Sequence, residues 1–347
     1  MNVKLPFPAR AGLAILASLN AAPASAITNA CVSDTAGLQL ALTAAASDGQ
    51  DNNIALERGV YHLGGNRLLF NSSEGHSVKI EGGFGPGCAT RIRDAALTVL
   101  DGDNSSPIFN VTTNNDFELH FLTLQHGYVS GSSGGAMAVF GTGSATSQAL
   151  LANLIIRDSA SDFGVGGVAF SVAGTVALYD NLITGISAPG GAVSVGSDTT
   201  YTVQLTNNTV VGNTATDAGA AGIVYVGASA TSVPMNTSNN IFWNNVGGVP
   251  DMSFVDGAIL LTDNDYQRID AAPAGGSSGN QSVNPQFLGS ADFHLASTSP
   301  LLGIGTLVPP GGLGAYDLEG HARVWNSAVD LGSYERGDEI FSEGFDL

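Results

Sequence analysis

The chain has 347 residues, of which 44% are apolar and 12% charged, the reverse of a disordered composition. Its 30 acidic side chains face only 11 Lys and Arg, a formal net charge of −19. That balance opposes nucleic acid, anionic lipid and polyanionic sugars unless a cation mediates.

Residues 1–26 read as a signal peptide. Lys4 and Arg10 supply the positive start, "AGLAILASLNAA" an apolar run of about a dozen residues, and "ASA" (24–26) a small-x-small cleavage pattern. The run is too short to cross a hydrocarbon core of roughly 30 Å as a helix. The expected mature chain starts near Ile27 and keeps nine basic residues against 30 acidic ones, net −21. Such a chain is expected to be exported, to the extracellular space or the outer cell surface. In that oxidising setting Cys31 and Cys88 are most simply one disulfide, with two buried free thiols as the other reading.

Residues 27–60 read as an N-terminal cap. "SDTAGLQLALTAAASDG" (33–49) predicts an amphipathic helix with Ser33 or Asp34 as N-cap and Leu38, Ala41, Leu42 and Ala45 on one face. "NIALERGVYHL" then predicts a strand, a turn and a second strand.

Residues 61–283 repeat. Asn153, Asn181, Asn208 and Asn240 lead similar phrases at spacings of 28, 27 and 32. "GGAMAVF", "GGVAFSV", "GGAVSV" and "AGIVYV" follow one another at spacings of 32, 24 and 31. "FLTLQHG" (121–127) aligns with "NLIIRDS" (153–159). Each unit therefore holds a Gly-led strand, a variable loop and an Asn-led strand, with apolar residues alternating at the period of a half-buried strand. No helical stretch separates them. The pattern predicts an all-β parallel β-helix, in which a coil cannot bury its inner face alone and stacking supplies a continuous core. Equivalent residues then stack about 4.8 Å apart. Asn153, Asn181, Asn208 and Asn240 are expected to form a side-chain ladder at one corner. The Gly pairs serve a bend that a Cβ would block.

The opening phrases "IALERGVYHL", "VKIEGGFGPGC", "TVLDGDNSSPIFNV" and "LHFLTLQHG" resemble the start of right-handed parallel β-helix proteins of the pectin-lyase-like superfamily. The GGA and NNT phrases are similar to polymorphic outer-membrane-protein repeats. Residues 284–335, with "VNPQFLGSADFHLASTSPLLGIGT" and "AYDLEGHARVWNSAVDLGSYE", resemble the choice-of-anchor Q domain that closes many exported β-helix proteins. The resemblance implies fold and export more firmly than an activity. Residues 336–347 form an acidic-aromatic tail, read equally as a sorting or anchoring signal and as a frayed end.

Relatives of this kind often cleave acidic polysaccharides. A lyase needs a base and a cation such as Ca²⁺ to neutralise the substrate carboxylate, and a hydrolase needs paired carboxylates. The Asp-Asp and Gly-His-Gly signatures of polygalacturonases are absent. Among candidate catalytic groups, His126 and Asp158 occupy equivalent places on adjacent coils, with Gln125 and Arg157 beside them and Asp162 in the next loop. Stacking is expected to bring His126 within reach of Asp158, either as an acid–base pair or as a polar corner that satisfies turn backbone. "LDGDN" (100–104) and "TDNDY" (262–266) read as turns and not as metal sites. Arg323 is expected to pair with one of Asp317, Glu319, Asp330 and Glu335 and pin the closing block. Tyr128, Phe163 and Tyr201 are the candidate sugar-stacking residues. The favoured function is a monomeric binding or structural module directed at glycans or cell-surface partners, without cofactor. The alternative is a polysaccharide lyase or glycoside hydrolase, the one case in which Ca²⁺ enters.

Overall fold

The computed structural model describes residues 27–337 apart from 142–146, 198–201, 218–220, 227–234, 256–257 and 271–274. Residues 1–26, which the sequence reads as a signal peptide, Tyr201 and residues 338–347 of the tail lie outside the described residues.

The helix α1, Thr35–Ala45, starts where Asp34 accepts a hydrogen bond from Gly37 N at 2.7 Å, an N-cap that satisfies one orphan donor. Leu38, Leu42 and Ala45 are buried and Ala41 packs beside them, so α1 lays its apolar face on the first coils. Gln39 of α1 also donates to Leu69 O at 2.9 Å and accepts from Leu69 N at 2.8 Å. Leu68–Asn71 is the terminal strand of its sheet, and Gln39 covers backbone that would otherwise invite edge pairing. Cys31 and Cys88 are joined with Cα atoms 5.8 Å apart. The bond ties the first strand, Ile27–Val32, to the turn Pro86–Cys88. Closing that loop contributes about 4 kcal/mol in the chain-entropy account.

Every pairing between the strands is parallel. A first sheet runs from Ile27–Val32 to Gly276–Ser278, a second from Leu68–Asn71 to Met252–Val255, and a third joins the short strands Tyr128–Val129, Ala160–Ser161, Ser187–Ala188 and Thr214–Ala215. One coil shows the path. Val168–Val172 lies in the second sheet, Thr175–Tyr179 in the first, Leu182–Thr184 in the first beyond a bend, and Ser187–Ala188 in the third. Inward residues stack in columns such as Leu151, Leu178 and Leu205, or Ile156, Ile183 and Val210, all buried. The protein is a parallel β-helix. Its coil holds two strands that the repeat pattern did not reveal, one before the asparagine and one in the third sheet. The third-sheet strands are two residues long and carry no readable period.

The bends explain the asparagines. Phe121, Asn153, Asp180, Asn207, Asn239 and Asp263 stack at one bend in the left-handed region, with φ between 53° and 59°. Asn and Asp enter that region more readily than other L residues. The ladder is the adjacent column: Asn181 donates to Asn208 at 2.9 Å, Asn208 to Asn240 at 2.9 Å, Asn240 to Asn264 at 2.9 Å and Asn264 to Asn280 at 3.1 Å. Each Oδ1 also accepts a backbone N–H from the preceding coil, as Asn208 Oδ1 does from Asn181 N at 3.1 Å. Asn153 is therefore not part of the ladder. Leu154 takes the ladder place in its coil, and Leu154 N donates to Asn181 Oδ1 at 2.9 Å. Two neighbouring columns both favour asparagine, so composition left the register open by one residue. The Gly pairs do serve a bend: Gly134 has φ 87°, and a Cβ on Gly135 would lie 2.1 Å from Ala160 O.

The closing block does not stop at the last coil. It runs back along the flank of the first sheet and grips the left-handed column. Asn153 Nδ2 donates to Tyr316 O at 2.9 Å and Asp317 O at 2.8 Å, Asn207 Nδ2 to Asp330 O at 2.9 Å, and Asn239 Oδ1 accepts from Thr306 N at 2.8 Å. Leu318 packs with Ala95, Leu182 and Val211, and Leu295, Leu301 and Leu331 pack on Ile241. The face after the asparagine is thus covered by the chain itself.

Candidate functional site: a cationic cleft beside the closing block

Before the bend, the outward residues of the first sheet remain open. In Val78–Phe84 the buried Val78 and Ile80 alternate with Lys79 and Glu81. In Phe117–Gln125 the buried Phe117 and Leu119 alternate with Glu118 and His120. Parallel register sets Lys79 beside Glu118 and Glu81 beside His120, and carries on to Leu150 and Ala152. Arg91, Arg93 and residues 311 and 313–316 of the closing block join them around a cleft of about 370 Å³, whose lining also takes in Asn153, Tyr179 and Asp180.

Lys79, Arg91 and Arg93 are three of the nine basic residues in the expected mature chain, and all three line this cleft. Glu81 bridges two of them, at 3.1 Å from Lys79 Nζ and 2.8 Å from Arg91 Nη1. Burial would raise the Glu81 carboxyl, but Arg91 and Lys79 hold it below its ordinary value, so it stays ionised. The Arg91 guanidinium also lies over the rings of Phe84 and Phe121, at 4.9 and 5.2 Å from their centroids. Arg93 is different. It is exposed, stacks 4.6 Å from the Tyr316 ring centroid, and has no carboxylate at ion-pair distance among the described residues. His120 Nε2 is 3.0 Å from Glu118 Oε2. A fixed cationic wall, one uncommitted guanidinium and two tyrosines suit an anionic ligand with flat faces.

The residues singled out by sequence lie elsewhere. The expected contact between His126 and Asp158 is not formed. His126 Nδ1 instead meets Asp101 Oδ2 at 3.0 Å, on the preceding coil. Arg157 donates to Gln125 Oε1 from Nε at 2.9 Å and Nη2 at 2.6 Å, and its Nε is 3.9 Å from Asp158 Oδ2. Asp162 accepts from Ser130 Oγ and Gly131 N, both at 2.6 Å, as a loop tie. His126 and Asp158 do occupy equivalent left-handed positions, with φ 54° and 50°. Equivalence fixes where the Cα atoms stack, not which neighbour a side chain turns towards. Tyr128 and Phe163 are 37% and 63% exposed and flank the third sheet, away from the cleft. The cleft residues carried one sequence signal: alternation in "VKIEGG" and "LHFLTL" puts Lys79, Glu81 and His120 on outward faces.

A second depression, of about 680 Å³, lies in the closing block around His294, Glu319, Trp325 and Tyr334. His294 spans Asp292 at 2.6 Å and Glu319 at 3.2 Å, and its ring centroid is 4.0 Å from that of Tyr334. The hydrogen bond to Glu319, against burial and with Asp292, pushes its pKa up to about 9. It is a protonated brace in an acidic setting. For metals, ligand atoms converge in two described groups. In one, Cys31 and Cys88 are spent in the disulfide beside Glu57. The other is His62, Asp101 and Asp103.

A scan against protein-family models and a search of curated proteins both find nothing that matches the chain. Among the described residues no helix is long and apolar enough to cross a membrane.

Proposed function

We propose that this is an exported binding module that holds an acidic glycan in the cleft between the first sheet and the closing block. The observation that carries the reading is the gathering of Lys79, Arg91 and Arg93 in one cleft of a chain whose net charge is −19. Distributed negative charge repels polyanions at long range, and a local cationic wall reverses that inside the cleft. Tyr316 and Tyr179 line the cleft, and its sheet residues come from successive coils, so successive sugars can meet successive coils. The parallel β-helix, the opening phrases and the closing block support grouping the chain with pectin-lyase-like β-helix proteins that end in a choice-of-anchor Q domain. The N-terminal segment and the disulfide support export to the cell surface or beyond it.

Cleavage of the same ligand is the second reading. It is favoured by Asp180, a buried carboxyl in the cleft lining beside Arg323 whose pKa burial raises well above the carboxylate range, as a general acid requires.

The test is one set of incubations. Mature protein, residues 27–347, is titrated with uronic-acid, sulfated and neutral oligosaccharides, and products are followed as new reducing ends and unsaturated sugars. Retention of an acidic oligosaccharide, weakened about tenfold by Arg93→Ala and falling with salt, supports binding. Equal retention of neutral sugars, or no effect of Arg93→Ala, would remove the cleft as the site. Turnover lost in Asp180→Asn would establish the second reading.

A further inference from the structure

We propose that His62, Asp101 and Asp103, with His126 held against Asp101 behind them, form a binding site for one transition-metal dication of the zinc class. The coil stack builds the site from three neighbouring strands. His62 ends Gly59–His62, Asp101 ends Thr98–Asp101, and parallel register sets His62 beside Asp101 and Asp101 beside Gln125. His126 follows directly and bends back in the left-handed region, with φ 54°. Asp103 comes from the turn "LDGDN", where Asp103 and Asn104 are both left-handed, at φ 53° and 52°.

These placements converge. One ligand atom each from His62, Asp101 and Asp103 lies within 4.8 Å of the other two. His62 Nδ1 is 2.7 Å from Asp103 Oδ1, and His126 Nδ1 is 3.0 Å from Asp101 Oδ2. A tetrahedral zinc ion with N and O ligands at roughly 2.0–2.1 Å sets ligand atoms about 3.3 Å apart. The His62–Asp103 pair would open slightly to admit the ion, and Asp101 completes a three-residue set. One imidazole and two carboxylates, with a fourth position open to solvent, suit zinc and its neighbours. Calcium wants six to eight oxygens and gains little from imidazole.

The surrounding groups fix the carboxylates as a ligand shell requires. Gln125 Nε2 donates to Asp101 Oδ2 at 2.7 Å, Asp103 N to Asp101 Oδ1 at 2.9 Å, and Gly64 N to Asp103 Oδ2 at 2.8 Å. Asp101 is 6% exposed and faces the Asp103 carboxylate as well as the histidines and polar donors, whereas His62 and Asp103 leave the site open to solvent. A bound dication would clip three coils together where the repeat is least regular.

The experiment uses the mature chain, residues 27–347, stripped with chelator and titrated calorimetrically with zinc chloride and, separately, calcium chloride. One zinc per chain is expected, with a rise in thermal unfolding temperature on loading and no competition from calcium. His62→Ala and Asp103→Asn each weaken zinc binding by tenfold or more. Both side chains are solvent-accessible, so the variants fold, and their metal-free unfolding curves check it. Gln125→Ala, which removes the support of Asp101 together with the exposed Arg157 contact and touches no proposed ligand otherwise, weakens binding about tenfold. The proposal is overturned if zinc adds no heat beyond the chelated blank, or binds His62→Ala and Asp103→Asn as tightly as the parent.

Discussion

Arg323 reaches from the closing block to Asp180 on the coil flank, with Nη1 3.3 Å from Asp180 Oδ1 and both side chains 1% exposed. The same guanidinium lies 3.4 Å from Glu335 Oε2 and donates twice to Gly332 O, at 3.0 and 2.9 Å. Asp180 stands in the left-handed column between Asn153 and Asn207. Where its neighbours hold the block by amide bonds to carbonyls, Asp180 meets it through the Arg323 guanidinium.

Removing the guanidinium leaves two buried carboxyls, Asp180 and Glu335, without their cation. Arg323→Met is expected to cost about 3–5 kcal/mol in denaturant unfolding. Asp180→Asn is expected to cost much less, because asparagine already serves at this bend and an amide can donate to the block. Adding Asp180→Asn to Arg323→Met should restore part of the loss. An Arg323→Met chain as stable as the parent would show that the block does not depend on the brace.

The block should weaken as pH rises. Burial raises Asp180 and Asp330, and pushes Glu335 up to about 7. His294 is raised to about 9 by its bond to Glu319. All four bind more protons folded than unfolded, so stability falls with pH wherever they titrate. For the carboxyls the loss begins near the unfolded value of about 4 and continues through their folded values. For His294 the contribution is complete below its unfolded value of about 6.5 and is lost towards pH 9. Glu319 and Asp292 are held low and act oppositely, losing their contribution only as pH falls through their depressed values. Unfolding temperature should therefore peak near about pH 5 and decline to pH 9. A flat or rising profile over that range would contradict the assignment, and Glu335→Gln should flatten it in part.

The two asparagine columns separate by mutation. Asn208→Ala cuts the ladder in its middle and strips partners from Asn181 N and Nδ2 and from Leu178 O. Each orphaned buried group costs about 1–3 kcal/mol, so the coil stack should lose about 3 kcal/mol or more. Asn153→Ala frees only the carbonyls of Tyr316 and Asp317, and its expected cost is nearer 1–2 kcal/mol. Limited proteolysis distinguishes them further: Asn153→Ala should expose the closing block to cleavage while the coils stay resistant. Equal losses from the two variants would mean that the columns share one role.

Much of the architecture was legible because it repeats. Alternation at Val168, Phe170 and Val172 defines a strand in any surroundings, and the absence of helical stretches between such strands leaves stacking as the way to bury them. Cys31 and Cys88, the N-cap at Asp34 and the role of Arg323 as a pin are likewise local or compositional facts. The ladder was legible as a kind and misread by one residue at Asn153, because adjacent columns favour the same side chain for different reasons.

Sequence by itself determined that this chain coils, that its coils run parallel and that asparagine rows lock their bends. Those properties follow from periodicity and backbone preference, which act over a few residues. Only the tertiary structure decided which face stays open. The return of residues 284–335 along the flank covers the Asn-led strands, leaves the Lys79, Arg91 and Arg93 cleft beside it, and turns Asp180 into an ion-pair partner. It also gave His126 to Asp101, not Asp158. Such contacts join residues separated by up to 164 positions, and no local preference encodes them.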